Sequence, residues 1–181
     1  MSRKIVIVGG VAGGASAAAR LRRLDEDAEI IMFERGDYIS FANCGLPYYI
    51  GEVIKSKHKL VVQTPEDMRE RFNIDVRVKS EVTRILPAKK EVEVYDINSG
   101  KTYTESYDKL ILSPGAEPIK LPLPGIDLPN IFTIRNIPDT YMIKEFVDKN
   151  RPKRALVVGA GFIGLEVAEN LYERGINVTI V

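Results

Sequence analysis

The sequence predicts an α/β protein that contains two Rossmann-like nucleotide-binding units in succession. A glycine-rich turn at 9–14 lies between a short β-branched run and an alanine-rich segment, and a second such turn lies at 159–164. Each alanine-rich or apolar segment is followed by another β-branched run. A strand, a glycine turn, a helix and a strand within about 30 residues form a βαβ unit. The two units resemble each other, which indicates a weak internal repeat.

The first βαβ unit begins almost at the start of the chain. Lys4–Val8 is short, β-branched and stopped by glycine, which is typical of a buried parallel strand. Gly13–Leu24 predicts a helix, with small residues first and leucines later. Glu29–Phe33 predicts the second buried strand.

A helix and a small antiparallel meander are predicted to follow. Thr64 is a suitable N-cap and Pro65 a suitable first helical residue, for a helix that runs to Phe72. The turn Asn98-Ser99-Gly100 predicts a hairpin. The further predicted strands are Asp75–Lys79, Val82–Leu86, Glu91–Asp96, Lys101–Ser106 and Lys109–Leu112. The sequence therefore predicts three layers, with helices, a parallel sheet and the meander.

The domain boundary is predicted in Ala116–Asn130, which is rich in proline. This divides the chain into a first nucleotide-binding domain (1–115), a connector with a helix over Ile137–Lys149 (116–150), and the start of a second domain (151–181). The second unit comprises the strand Arg154–Val158, the glycine turn, a helix to Glu173 and the strand Asn177–Val181. Since one βαβ unit cannot bury both faces of its sheet, we expect the chain to be the front part of a longer protein.

Composition excludes several classes of function. The 181 residues are 45% hydrophobic and 28% charged, and the net charge of +1 gives no reason to expect nucleic-acid or membrane-surface binding. No apolar run approaches the roughly 20 residues of a membrane helix. One cysteine, Cys44, and one histidine, His58, do not favour a metal site, and His58 is expected in a solvated loop. The single cysteine and the lack of a leader predict a cytoplasmic protein.

The glycine turns are the candidate cofactor sites. Gly159, Gly161 and Gly164 match the dinucleotide fingerprint, in which a helix N-terminus faces the pyrophosphate. The first turn is Gly9-Gly10-Val11-Ala12-Gly13-Gly14, with Val11 at the place of the middle glycine. Glu34 ends the next strand, where an acid would accept hydrogen bonds from a ribose hydroxyl. The alternative for Glu34 is a solvated acid at a strand end.

Cys44 is the candidate redox residue. No internal disulfide is possible with one cysteine, so any catalytic disulfide must form with another molecule. Pro47 suits the first turn of a helix, and a helix N-terminus close behind Cys44 would favour the thiolate. Asn43 could donate a hydrogen bond nearby. The alternative is an inert buried cysteine, against which the polar, glycine-flanked setting argues.

Four segments resemble the coenzyme A-disulfide reductases, a single-cysteine class of FAD-dependent pyridine nucleotide-disulfide oxidoreductases. They are GGVAGGASAAARLRRL at 9–24, SFANCGLPYY at 40–49, YDKLILSPGAEP at 107–118 and GAGFIGLE at 159–166. The resemblance covers the whole chain in matching order. It implies FAD in the first unit, NADH or NADPH in the second, and a homodimeric complete protein. It also implies a mixed disulfide between Cys44 and coenzyme A.

The resemblance also implies the site residues. The further candidates at the FAD and NAD(P)H sites are Arg35, Asn43, Ser113, Pro114, Gly115, Ile163 and Glu166. The candidates for coenzyme A contacts are Ser16, Arg20, Arg23, Ser40, Asn43 and Arg71. Phe72 stands where a basic residue is expected, which puts one phosphate contact in question.

Two other interpretations stay open at this stage. A flavin NADH oxidase or peroxidase would cycle Cys44 through a sulfenic acid. Such relatives carry a histidine before the paired glycines, where this chain has Ala12, and the arginines of the first helix favour a phosphate-rich substrate. The third interpretation is a non-catalytic nucleotide-binding fragment, for which we expect weak FAD binding and no turnover.

Overall fold

The computed structural model describes residues 2–181 and divides them into two compact units. The first contains residues up to Phe41 and Val61–Gly115, and the second contains Ala42–Leu60 and Ala116–Val181. The segment that carries Cys44 therefore belongs to the second unit. Met1, the first residue of the predicted first domain, lies outside the described residues, and the domain limits drawn from the sequence stay predictions.

The first unit contains the strands and helices β1 (Lys4–Val8), α1 (Ala12–Leu24), β2 (Glu29–Phe33), α3 (Pro65–Phe72), β3 (Asp75–Arg77), β4 (Ser80–Leu86), β5 (Glu91–Asp96), β6 (Lys101–Ser106) and β7 (Lys109–Leu112). Four of the strands form a parallel sheet in the order β3-β2-β1-β7. Val6 in β1 pairs with Ile31 in β2 on one side and with Leu110 in β7 on the other. Three antiparallel strands form a second sheet in the order β4-β5-β6.

Alternate residues of β1 point to opposite faces of the parallel sheet, and each face has its own core. Ile5 and Ile7 pack with Ala18 of α1 and Met68 of α3 on one face. Val6 packs on the other face with a cluster that includes Val92 and Val94 of the antiparallel meander. The predicted three-layer α/β arrangement is confirmed.

The second unit contains a parallel pair of strands, β8 (Arg154–Val157) and β9 (Asn177–Ile180), joined by α5 (Phe162–Glu173). The helix α4 (Ile137–Asn150) begins at a capping box, in which the side chain of Asn136 accepts from the backbone N–H of Asp139. Residues 113–136 form turns and irregular chain between β7 and α4.

The segment Ala42–Leu60, hereafter the Cys44 segment, contains a 3₁₀ turn (Asn43–Gly45), the short helix α2 (Leu46–Ile50) and a second 3₁₀ turn (Lys57–Leu60). The backbone N–H of Ala42 donates to the carbonyl of Leu60 at 2.8 Å, which closes the segment at its base. Fully buried Ile50 packs in the core of the second unit with Ile143, Val147, Leu171 and Ile176.

Candidate active site

The first glycine turn is shaped by its contacts with the end of β7. Gly9 has a φ of +94°, a conformation that L side chains rarely adopt, and a Cβ there would overlap the carbonyl of Ser113. Its N–H donates to the carbonyl of Phe33 at 2.8 Å, while the N–H of Ser113 donates to the carbonyl of Val8 at 2.7 Å. A Cβ on Gly13 would come within 3.1 Å of the Ser113 hydroxyl oxygen. The turn is therefore a close-packed backbone cradle, with the exposed start of α1 beside it.

The second glycine turn repeats the same geometry. Gly159 has a φ of +104°, and its N–H donates to the carbonyl of Val181 at 2.7 Å. A Cβ on Gly164 would overlap the carbonyl of Gly159, just as a Cβ on Gly14 would overlap the carbonyl of Gly9. In both turns, the last glycine lets the helix that follows pack closely against the backbone of the first glycine. Both turns leave backbone N–H groups at a helix start, which fits a pyrophosphate.

Glu34 stabilises the first turn directly. Its Oε2 accepts from the N–H of Gly10 at 2.8 Å, and its Oε1 accepts from the N–H of Gly36 at 2.8 Å. Each carboxylate oxygen can accept more than one hydrogen bond, so the half-buried side chain retains capacity for a ribose hydroxyl. Its neighbour Arg35 is exposed and lies 3.6 Å from the carboxylate of Glu81. The ribose and cofactor roles of both residues stay predictions.

Cys44 is exposed and lies in the 3₁₀ turn immediately before α2. Pro47 is in the first turn of that helix, as expected, but α2 has only five residues. Gly45 behind the thiol is buried, and a Cβ there would press on the side chains of Ile54 at 3.1 Å and Leu60 at 3.3 Å. Gly45 is thus closely packed, while Cys44 next to it is exposed. His58 is exposed in the same segment.

The candidate residues for coenzyme A on α1 share one face. Ser16, Arg20 and Arg23 are spaced by four and three residues and are all exposed. Arg22 has another role, because its guanidinium donates to the carbonyls of Phe72 at 2.8 Å and Asn73 at 2.9 Å. These bonds satisfy carbonyl groups at the C-terminal end of α3. Arg22, unlike its neighbours Arg20 and Arg23, therefore has a structural role.

The remaining candidates for coenzyme A contacts lie outside α1. Arg71 is exposed and its guanidinium lies 5.6 Å from the ring centroid of Phe72. Ser40 has a φ of +42°, and its N–H donates to the carbonyl of Gly10 at 2.9 Å. Asn43 is exposed next to Cys44. Their predicted contacts with coenzyme A are not tested by these positions.

The second unit also contains an ionic cluster that was not predicted from the sequence, formed by Glu52, Lys144, Asp148 and Arg174. The ammonium of Lys144 lies 2.9 Å from Glu52 and 2.8 Å from Asp148. The guanidinium of Arg174 lies 2.7 Å from Asp148 and 3.8 Å from Glu52. Only the i,i+4 pair of Lys144 and Asp148 leaves a local signal in the sequence.

The residues described, 2–181, contain no helix that is both long and apolar enough to cross a bilayer. Within the same range, no group of three or more histidine, cysteine or acidic side chains is arranged to hold a metal ion.

Comparison with known proteins identifies the family. The profile for pyridine nucleotide-disulphide oxidoreductases matches residues 3–181. The chain belongs to this family. It is 48% identical over 179 residues to the coenzyme A disulfide reductase of Staphylococcus haemolyticus, covering 99% of this chain and 40% of that protein. The chain thus spans about 40% of the length of the curated relatives that it matches, and the predicted resemblance is confirmed.

Solved structures agree with the family assignment. Reduced CoADR-RHD of Bacillus anthracis is 59% identical with a TM-score of 0.96, over 99% of this chain and 32% of that one. An NAD-dependent persulfide reductase from A. fulgidus is 35% identical with a TM-score of 0.93, over 98% of this chain and 33% of that one. A water-forming NADH oxidase from Lactobacillus brevis, bound to NADH, is 34% identical with a TM-score of 0.93, over 99% and 39%.

Proposed function

We propose that the complete protein uses NADH or NADPH to reduce coenzyme A disulfide, or a related persulfide, through FAD and Cys44. The observation that carries the proposal is an exposed cysteine, the only one in the chain, in a family member whose close relatives are named coenzyme A disulfide reductases. The product and substrate are small molecules, and we propose a cytoplasmic homodimer as the complete protein.

The first unit would hold FAD, which when bound accepts two electrons from the nicotinamide and passes them to the disulfide. The N–H groups at the start of α1 would donate to the pyrophosphate. Glu34 would accept from the ribose while holding Gly10 in place. Ser113 packs against Gly9 and Gly13 and would, with Pro114 and Gly115, border the cofactor.

The second turn would hold the nicotinamide nucleotide. Gly159, Gly161 and Gly164 supply the backbone, while Ile163 and Glu166 lie in the first turns of α5. The likeness to an NADH oxidase bound to NADH supports this assignment.

Cys44 would carry out the sulfur chemistry. Its thiolate would attack one sulfur of coenzyme A disulfide, which breaks the S–S bond and releases one coenzyme A thiolate. The resulting mixed disulfide on Cys44 would take up the electron pair that comes from NAD(P)H and a proton, and release the second thiol. Ser16, Arg20 and Arg23, exposed on one face of α1, would contact the substrate's phosphates.

An NADH oxidase or peroxidase activity is the second candidate, and the 34% identity to the NADH oxidase favours keeping it. In that case, a peroxide would oxidise the Cys44 thiolate to a sulfenic acid, and the NADH-derived electron pair would return it to the thiolate with loss of water. A nucleotide-binding fragment without turnover remains the proposal for the 181 residues alone.

The test of the proposed function is Cys44→Ser in the complete holoenzyme. We expect anaerobic flavin reduction by NADH or NADPH to stay within about twofold of wild type, while disulfide turnover falls to background, because serine cannot form the mixed disulfide. His58→Gln, an exposed change in the same segment, is the matched control and should keep both rates. Disulfide turnover that survives in Cys44→Ser would move the nucleophile to another residue.

A further inference from the structure

The Cys44 segment is packed against two helices of the second unit. Ile50, at the end of α2, is fully buried against Ile143 of α4 and Leu171 of α5. The ring of Tyr49 lies 5.7 Å from that of Tyr141 on α4. These contacts place the segment on α4 and α5, but apolar contacts of this kind are not directional.

The ionic cluster adds directional contacts at the same place. Glu52 follows α2, Lys144 and Asp148 lie on α4, and Arg174 caps the end of α5. The two cations are mostly shielded, with side chains 15% and 17% exposed, whereas the two carboxylates are about half exposed. Lys144 bridges the two carboxylates, so its removal leaves both acids with only the guanidinium of Arg174.

Two further contacts tie α5 to the end of α2. Arg174 donates to the backbone carbonyl of Ile50 at 3.2 Å, which satisfies one of the carbonyls left free at a helix end. The side chain of Asn170, a residue only 3% exposed, lies so close to Gly51 that a Cβ on Gly51 would overlap it. The end of α2 is thus held by two side chains of α5, the guanidinium of Arg174 and the closely packed amide of Asn170.

The helix α5 connects this contact to the second glycine turn. It begins after Gly161 and ends at Glu173, which corresponds to a length of about 18 Å at 1.5 Å per residue. One rigid helix therefore carries the proposed nucleotide-binding turn at its start and the anchor of the Cys44 segment at its end.

We propose that the ionic cluster is a positioning device for Cys44, which fixes the thiol's segment to α4 and α5. Lys144 and Arg174 are its central positioning residues, and they act on the reaction through the placement of Cys44 without touching the substrate. This inference rests on the proposed role of Cys44 in disulfide reduction.

The test compares Lys144→Met with Lys144→Arg in the complete holoenzyme. Methionine keeps most of the apolar stem but removes the charge, while arginine can again bridge the two carboxylates. The matched control is Lys4→Met in the first unit, because Lys4 likewise bridges two carboxylates, Glu105 at 2.5 Å and Glu29 at 3.4 Å. Two half-reactions are followed anaerobically: flavin reduction by NADH, and reoxidation of the reduced enzyme by coenzyme A disulfide.

We expect Lys144→Met to slow reoxidation by about three- to thirtyfold, while flavin reduction stays within about twofold. Lys144→Arg should recover most of the lost rate, and Lys4→Met should leave reoxidation unchanged. Hydrogen exchange of the same proteins should increase over residues 42–60 in Lys144→Met and remain at the wild-type level there in Lys4→Met.

Reoxidation within about twofold of wild type in Lys144→Met would overturn the inference, whether or not exchange increases. An equal loss in Lys4→Met would overturn it too, since the effect would then reflect general destabilisation. Failure of the proposed function would give a different result, because Cys44→Ser would then retain disulfide turnover. Hydrogen exchange of Lys144→Met would still report whether Lys144 holds the Cys44 segment in place.

Discussion

Replacing Glu34 by glutamine tests the proposed FAD site at a single side-chain atom. The two carboxylate oxygens of Glu34 accept from the N–H groups of Gly10 and Gly36, each at 2.8 Å. Glutamine keeps one acceptor oxygen and presents an amide N–H₂ group to the other N–H. One hydrogen bond is therefore lost, and the remaining one is no longer to a charged acceptor.

The expected magnitude follows from the strength of such bonds. A hydrogen bond to a charged group contributes about 1.5–3 kcal/mol. Gly10 lies in the turn that is proposed to bind the pyrophosphate. Without the hydrogen bond from Gly10 to the carboxylate, the turn is not held in place, and ordering it reduces the free energy of FAD binding. At about 1.4 kcal/mol per factor of ten, we expect FAD to bind about tenfold to hundredfold more weakly in Glu34→Gln.

The assay is reconstitution of the complete apoprotein with FAD, followed by quenching of flavin fluorescence. Asp37→Asn is the control, because Asp37 lies three residues on, pairs with Lys79 at 2.7 Å, and is about half exposed. The control should bind FAD as the wild type does. An FAD affinity of Glu34→Gln within about twofold of wild type would refute two claims: that Glu34 holds the turn in place and that it contacts the ribose.

Two further predictions concern the stability of the second unit. Ile50→Ala should destabilise the complete protein by about 2–5 kcal/mol in chemical denaturation, since Ile50 is fully buried, whereas Ile119→Ala, with the side chain 88% exposed, should change stability little. The hydrogen bond and charge of Lys144 lower the pKa of Glu52; for Asp148, burial opposes the change, but the bonds from Lys144 and Arg174 outweigh it and lower the pKa. The contribution of these two ionised carboxylates to stability is therefore present at neutral pH. It is lost in acid, as the pH falls through their lowered folded-state pKa values. The penalty of Lys144→Met, about 1 kcal/mol at pH 7, should accordingly shrink as the pH is lowered below about 5, and a penalty that stays constant with pH in thermal unfolding would contradict this.

Much of the fold was predictable because its signals are local. The run of Lys4–Val8 and the turn at Gly9–Gly14 define a strand, a turn and a helix start within a few residues of each other. Likewise, Thr64 caps α3 with a complete capping box, and Pro65 is the first residue of that helix. Such signals need no knowledge of the rest of the chain.

The missed features depend on residues far apart in the sequence. Glu52 meets Lys144 across 92 positions, and Arg174 meets the carbonyl of Ile50 across 124. The helix α2 is too short to show a helical period, so the sequence does not reveal that its end is anchored. The hydrogen bonds of Arg22 could not be predicted from the basic run on α1 either, because the carbonyls that accept them lie 50 and 51 positions away in the sequence.

The most direct measurement is an anaerobic assay of the complete protein with NADH or NADPH and coenzyme A disulfide, in which released thiol is titrated against nicotinamide oxidation. The account predicts thiol release that matches the loss of NADH or NADPH, and none in Cys44→Ser. Oxidation that occurs only with hydrogen peroxide, or only when air is admitted, would contradict the disulfide reductase proposal and make Cys44 a sulfenic-acid centre.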